Sequence, residues 1–313
     1  MGNAAQPLHW PRVLALAAAS LILHVLALTA ELARQVAPSA LPATMTVALH
    51  SPPTPAPAPP VPAGIASAAP APATVQLRRA ANRARRAKPW GTQLRASAPP
   101  SAQLRFDVQR VESDGVSTRG EAVIDWRSEG GQYHLSATQS NQEGALLALE
   151  SEGSVAASGL VPRTLVVQRR GKARTATHFD AGEGGISFSA SQAKATMPAG
   201  TQDKASWPLQ LAALARADPR QLAAGPTVVV GGERAANACR FALLGQETLD
   251  TPLGPMATWH LASVPTADSY RARLDVWLAP AQAWYPVQLR STEASGAMTT
   301  QTIREIVTNE AEP

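Results

Sequence analysis

Cysteine is nearly missing: the chain of 313 residues holds one, Cys239. This excludes an intramolecular disulfide framework and any zinc site built on several thiolates. Acidic residues are almost absent from the first third. Residues 1–100 carry nine Lys/Arg against a single acid, Glu31, a net of +8, whereas residues 101–313 carry nineteen against twenty-two, a net of −3. Sixteen of the 27 prolines lie in the same first third. No series of aromatic residues accompanies its basic residues, which sets nucleic acid aside as a partner. A chain divided in this way is an extended basic arm joined to a mildly acidic folded domain.

Val13 to Ala30 contains no charged residue. Extended to Leu32, it predicts a helix about 30 Å long, the thickness of a bilayer's hydrocarbon core. Trp10 and Arg12 flank one end, Glu31 and Arg34 the other. A cleaved signal peptide is the alternative, but Leu28-Thr29-Ala30 and Gln35-Val36-Ala37 are both poor cleavage sites. Arg12 and the amino terminus favour residues 1–12 in the cytoplasm, 13–32 as a single span and the bulk of the chain outside; Arg34 pulls mildly the other way. Ser20 and His24, spaced i, i+4, share one face of that span. An imidazole at this depth needs a partner or a watery path, so the pair is either a functional site or a local hydrogen bond.

Residues 33–103 are rich in Ala and Pro, with a proline ladder from Ser51 to Pro60, and cannot bury enough apolar surface to fold. As polyproline II, about 3.1 Å per residue, the arm reaches up to about 200 Å. Arg78, Arg79, Arg83, Arg85, Arg86 and Lys88 form a basic cluster within it. The cluster is either a solvated stretch or a contact for anionic lipid headgroups or cell-wall polymer such as peptidoglycan. A Trp-containing basic lead, a span with Ser-x-x-x-His, Met45-Thr46-Val47-Ala48-Leu49 and then the proline ladder together resemble the N-terminus of TonB-type energy transducers. The resemblance covers about residues 8–62. It implies an inner-membrane anchor and an ExbB–ExbD-like proton-driven motor as partner, with Ser20 and His24 as the motor-contacting positions.

From Leu104 onward the apolar period is two. Leu104/Phe106/Val108, Ala122/Ile124/Trp126, Tyr133/Leu135/Ala137, Leu165/Val167, Ile186/Phe188, Val228/Val230, Cys239/Phe241/Leu243, Leu274/Val276/Leu278 and Tyr285/Val287/Leu289 recur at every second position. Glycines such as Gly115, Gly144, Gly159, Gly171 and Gly245 mark turns between the runs. The pattern predicts a mainly β domain over 104–306, a curved antiparallel sheet or open β-barrel, followed by a short tail at 307–313. One helix interrupts it. Ser206 is its expected N-cap, Pro208 lies in its first turn, and Trp207, Leu211, Leu214 and Ala215 form its apolar stripe. Such a helix is expected to plug or flank the barrel.

Four stretches of this domain resemble domain-of-unknown-function family 3108, a group of bacterial envelope proteins. They are Ser151-Glu152-Gly153 with Ser158 to Pro162; Arg169 to Lys172 leading to Phe179-Asp180; Gln202-Asp203 with Ser206 and Gln210 to Leu214; and Glu247 to Gly254 with Val276 to Pro280 and Tyr285-Pro286-Val287. The resemblance implies an envelope location and a β-rich fold similar to the open barrels that carry lipids or lipoproteins. It implies no chemistry and no cofactor.

The residues offer little chemistry of their own. His134, His178 and His260 are scattered without metal-ligand spacing. Ser191-Gln192-Ala193-Lys194 matches Ser-x-x-Lys but has no helix to aim the serine. Cys239 shares a face with Phe241 and Leu243, as a small buried hydrophobe does. Trp126, Trp277 and Trp284 either pack structurally or line an apolar ligand groove. Trp277, out of phase with Leu274, Val276 and Leu278, is expected on the opposite face. The combined expectation is a membrane-anchored, noncatalytic periplasmic protein binding a lipid, lipoprotein or cell-wall component. A motor-coupled transducer and an unrecognised hydrolase are the alternatives.

Overall fold

Side-chain alternation sets the architecture. The computed structural model describes residues 94–264 and 272–308. The expected span at 13–32, Ser20, His24 and the cluster from Arg78 to Lys88 lie outside these residues. Among the described residues no helix is long and apolar enough to cross a membrane.

Strand β1 (Ala102–Val111) buries Leu104, Phe106 and Val108, β2 (Ser117–Glu129) buries Ala122, Ile124 and Trp126, and β3 (Gln132–Asn141) buries Tyr133 and Leu135. Then come β4 (Gly144–Ala156), β5 (Gly159–Arg169), β6 (Thr175–Asp180), β7 (Gly185–Phe188), β8 (Ser191–Thr196) and the two-residue β9 (Gln202–Asp203). Helix α1 (Trp207–Ala217) and the single turn α2 (Arg220–Ala223) follow. The chain ends in β10 (Thr227–Gly231), β11 (Ala236–Thr251), β12 (Gly254–Ser263), β13 (Arg273–Leu278), β14 (Pro286–Thr292) and β15 (Met298–Thr308).

All fifteen strands belong to one sheet, in the order β8 down to β1, then β15 down to β9. The neighbours are antiparallel except β9 and β10, which run parallel. The sheet is therefore a meander whose first and last strands are joined, Ala102 opposite Thr308 and Val111 opposite Met298. Its curl does not close edge to edge. Instead β9 and β10 lie across β4 to β6: Gln202 Nε2 donates to the Leu160 carbonyl at 2.7 Å, and Thr177 Oγ1 donates to the Gly232 carbonyl at 2.7 Å. This is an open barrel with its edge tucked in, which keeps that edge from pairing with another chain.

Helix α1 fills one end of the lumen. Nine consecutive residues, Trp207 to Ala215, are buried, so the helix is enclosed on all sides rather than along the single expected stripe. Leu211, Leu214 and Ala215 pack against Val228, Phe241, Leu261, Val276 and Leu278, while Leu209 joins the core built on β1 to β7. Each fully buried leucine contributes about 1.5–3 kcal/mol. Gln210 clamps the neighbouring hairpin, accepting from Leu160 N at 2.8 Å and donating to the Ser158 carbonyl at 2.9 Å. Gly159 allows this close approach: its φ is +113°, and a Cβ there would sit 2.0 Å from Gln210 Oε1.

Three sequence expectations change. Ser206 holds the N-cap position of α1, but its backbone is already helical and its side chain makes no cap bond. Asp203 instead closes the turn just before the helix, with Oδ1 accepting from Ala205 N at 2.7 Å and Ser206 N at 2.8 Å. Gly245 is no turn but lies within β11, where the register to β12 slips between Leu243 and Gly245; a strand glycine there marks a bulge. The folded domain also begins before residue 104. Ala96 N bonds the Ala157 carbonyl and Ser97 N the Ala213 carbonyl, each at 2.9 Å, tying the approach segment to the helix end of the barrel.

Candidate functional site

Small side chains leave a void where the helix starts. An apolar cavity of about 160 Å³ lies beneath the start of α1, walled by Ala122 and Ile124 of β2, Ala137 of β3, Leu147 and Leu149 of β4, Trp207 and Pro208 of α1, and Leu274 and Leu289 of β13 and β14. It is half open to solvent, and Thr138, Gln139, Ser291, Thr299 and Gln301 also border it. Lys204 and Arg290 are the cations in its wall.

The start of α1 is fixed by a buried polar chain. Ser151 donates to Asp203 Oδ2 at 2.5 Å, and Tyr133 Oη is 3.0 Å from Ser151 Oγ. Asp203 and Ser151 are both fully buried. Burial raises the Asp203 carboxyl above its ordinary range, against the bonds from Ser151 and the Ser206 and Ala205 amides. Burial, then the nearby Asp203 charge, likewise raises the Tyr133 phenol. With no route to solvent, this chain holds the helix to β3 and β4 and offers no reacting group.

Beside the cavity mouth lies a second, basic pocket of about 390 Å³, bordered by Arg169, Lys172, Arg174, Thr175, Glu233 and Arg234. Glu233 joins the two, its Oε1 lying 2.9 Å from Arg169 Nη2 and 3.1 Å from Lys204 Nζ. Partial burial works against the Glu233 carboxylate, but Arg169 and Lys204 outweigh it and hold the group below its usual range. Larger depressions of about 880 and 700 Å³ are open and bordered by charged side chains, among them Arg163, His178, Asp180 and Lys194 in one and Asp107, Arg119 and Glu121 in the other.

Trp126, Trp277 and Trp284, expected either to pack structurally or to line a ligand groove, all lie away from the cavity beneath α1. Trp126 is fully buried, with Nε1 donating to the Pro99 carbonyl at 3.0 Å and its ring tilted against Tyr133. Trp277 does point away from Val276 and Leu278, but it is covered: His260 stacks on it at 3.9 Å, the Arg290 guanidinium lies 5.0 Å over the ring, and Nε1 bonds Glu247. Trp284 meets Trp259 edge-on at 5.4 Å. None of the three borders the cavity. Large rings fill space, and it is the alanines of β2 and β3 that leave it.

Other chemistry-bearing residues are tied locally. His260 lies between Asp275 at 2.9 Å and Glu247 at 3.2 Å. Glu150 and Glu152 pair with Arg174 and Arg163 on the surface, and Asp180 caps a turn by accepting from the Gly182 and Glu183 amides. Ser191 and Lys194 sit on the edge strand β8, with Ser191 Oγ accepting from Ala193 N. Cys239 is half-buried beside the helix core. Among the described residues no three His, Cys, Asp or Glu side chains gather as metal ligands.

A profile of the family described as protein of unknown function (DUF3108) matches residues 104–302, nearly the whole stretch over which the sequence motifs resemble it. No curated protein matches the sequence. Among solved structures, the chain is similar to a β-barrel-like DUF1849 protein from Brucella abortus, at 10% identity and a TM-score of 0.46 over 69% of this chain and all of that one. It is also similar to a DUF1329 family protein from Desulfovibrio piger, at 8% identity and a TM-score of 0.28 over 76% and 95%. A third is the lipoprotein LppX of Mycobacterium tuberculosis, at 10% identity and a TM-score of 0.22 over 77% and 99%.

Proposed function

The chain belongs to the DUF3108 family, whose function is not known, and we propose that this member is a noncatalytic envelope protein that takes the apolar part of a lipid or lipoprotein into the cavity beneath α1. One observation carries the reading: a half-open, largely apolar pocket of about 160 Å³ at the mouth of a curled sheet. A cavity of this size accepts one acyl end or a small ring and not a whole diacyl lipid; larger cargo requires α1 to move. The uncharged run from Val13 to Ala30 supports a single-pass anchor in a bacterial inner membrane, with the folded domain in the periplasm. Protease added to spheroplasts then digests the domain, and its survival would remove that topology.

The binding reading is tested by native mass spectrometry of the full chain released from neutral-detergent micelles, with monooleoylglycerol as probe. A one-to-one adduct is expected, and Ala137→Leu, which fills the cavity, abolishes it. An adduct insensitive to Ala137→Leu would place the lipid elsewhere. The second reading, a motor-coupled transducer, rests on Ser20 and His24 within the uncharged run. It predicts that His24→Ala removes the cellular phenotype while leaving the amount of protein unchanged.

A further inference from the structure

We propose that the apolar cavity and the basic pocket are two halves of one site, whose ligand is a single-chain amphiphile with an anionic head. The inference rests on the binding reading above and specifies its ligand. The two pockets have no lining residue in common, but two contacts link their walls. Lys204 borders the cavity and reaches Glu233, which borders the basic pocket. Arg169 reaches the same carboxylate and stands directly opposite Leu147, a cavity residue, in the β4–β5 register.

Charge supplies the direction. Around this junction Arg169, Arg170, Lys172, Arg174, Lys204 and Arg234 are matched by only three carboxylates: Glu143 on Arg170, Glu150 on Arg174, and Glu233 shared by Arg169 and Lys204. Among the described residues Lys172 has no ion pair, and the Arg234 guanidinium bonds only the Ala190 carbonyl. Thr175 Oγ1, at the same pocket, is buried with no hydrogen-bond partner among the described residues. An acyl end beneath Trp207 and Pro208 therefore emerges beside a cluster of cations short of counter-ions. Phosphate or carboxylate oxygens there accept charge-assisted hydrogen bonds, the strong kind. A neutral glycerol head gains none of that, and a bilayer-forming diacyl lipid has one chain too many for the void.

The test compares two probes with the same acyl chain, oleoyl-lysophosphatidylglycerol and monooleoylglycerol, on the full chain by native mass spectrometry. The variant is Lys172→Glu with Arg234→Glu; both side chains are exposed, so the fold tolerates it, and an unchanged melting temperature verifies that. The wild-type chain should prefer the anionic probe by about tenfold or more, the scale of one hydrogen bond to a charged group. The charge-reversed chain should lose that preference and keep monooleoylglycerol. Equal affinity for both probes, or a preference that survives charge reversal, overturns the anionic-head assignment while leaving the cavity reading intact. If Ala137→Leu leaves both adducts in place, the cavity reading itself fails, and this one with it.

Discussion

Asp203 concentrates several roles in one side chain. It closes the turn that leads into α1, accepts from Ser151 and lies fully buried where the tucked edge crosses the sheet. Removing it in Asp203→Ala strands two amides and a hydroxyl, and should cost about 3–5 kcal/mol in urea unfolding. Asp203→Asn keeps an acceptor for the amides and lets Ser151 reverse its hydroxyl, so its cost at neutral pH should stay under about 1 kcal/mol. The pH dependence has a definite sign. An acid whose pKa is raised by folding stabilises the fold fully below its unfolded value, about 3.9, and that stability is lost as pH rises through the folded value. The Asp203→Asn chain should therefore gain on wild type as pH climbs from about 4 toward neutrality. Urea midpoints measured across that range that run parallel for the two chains would refute the assignment.

At the scale of elements, α1 shows what can and cannot be read from a sequence. Its existence, its Pro208 start and its end at Asp218 follow from local spacing, as do the nine strands that carry the alternating runs, whereas β4, β6, β8, β9, β12 and β15 show no such run. The turn leading into α1 is not legible in this way: Asp203 closes it and is itself held by Ser151, on a strand fifty-two residues earlier. The cavity is illegible for a related reason: it is a shortfall of volume summed over several strands and a helix, which no spacing records. Large tryptophans attract attention in a sequence, yet Trp126, Trp277 and Trp284 pack away from the pocket that Ala122 and Ala137 border. The Gln210 clamp gives a prediction at this scale. Gln210→Ala frees Leu160 N and the Ser158 carbonyl, so it should cost about 2–3 kcal/mol. Hydrogen exchange should show the Leu160 amide losing protection before those of β1 and β2. Uniform loss across all three strands would mean the clamp is not local.

For the whole molecule, binding and stability should oppose each other. Ala137→Leu adds apolar volume to the void and is expected to raise stability by about 0.5–2 kcal/mol while abolishing amphiphile uptake. A calorimetric scan that shows a lower melting temperature would mean that the void closes in solution and the added side chain clashes. The seam between β1 and β15 carries a different consequence. Because Ala102 and Thr308 are cross-strand neighbours, the two ends of the barrel can be joined by a short peptide and new ends opened at the exposed turn around Ala181. Such a circularly permuted protein should keep every strand pairing, since the β1–β15 seam lies inside the sheet and its open edges are β8 and β9.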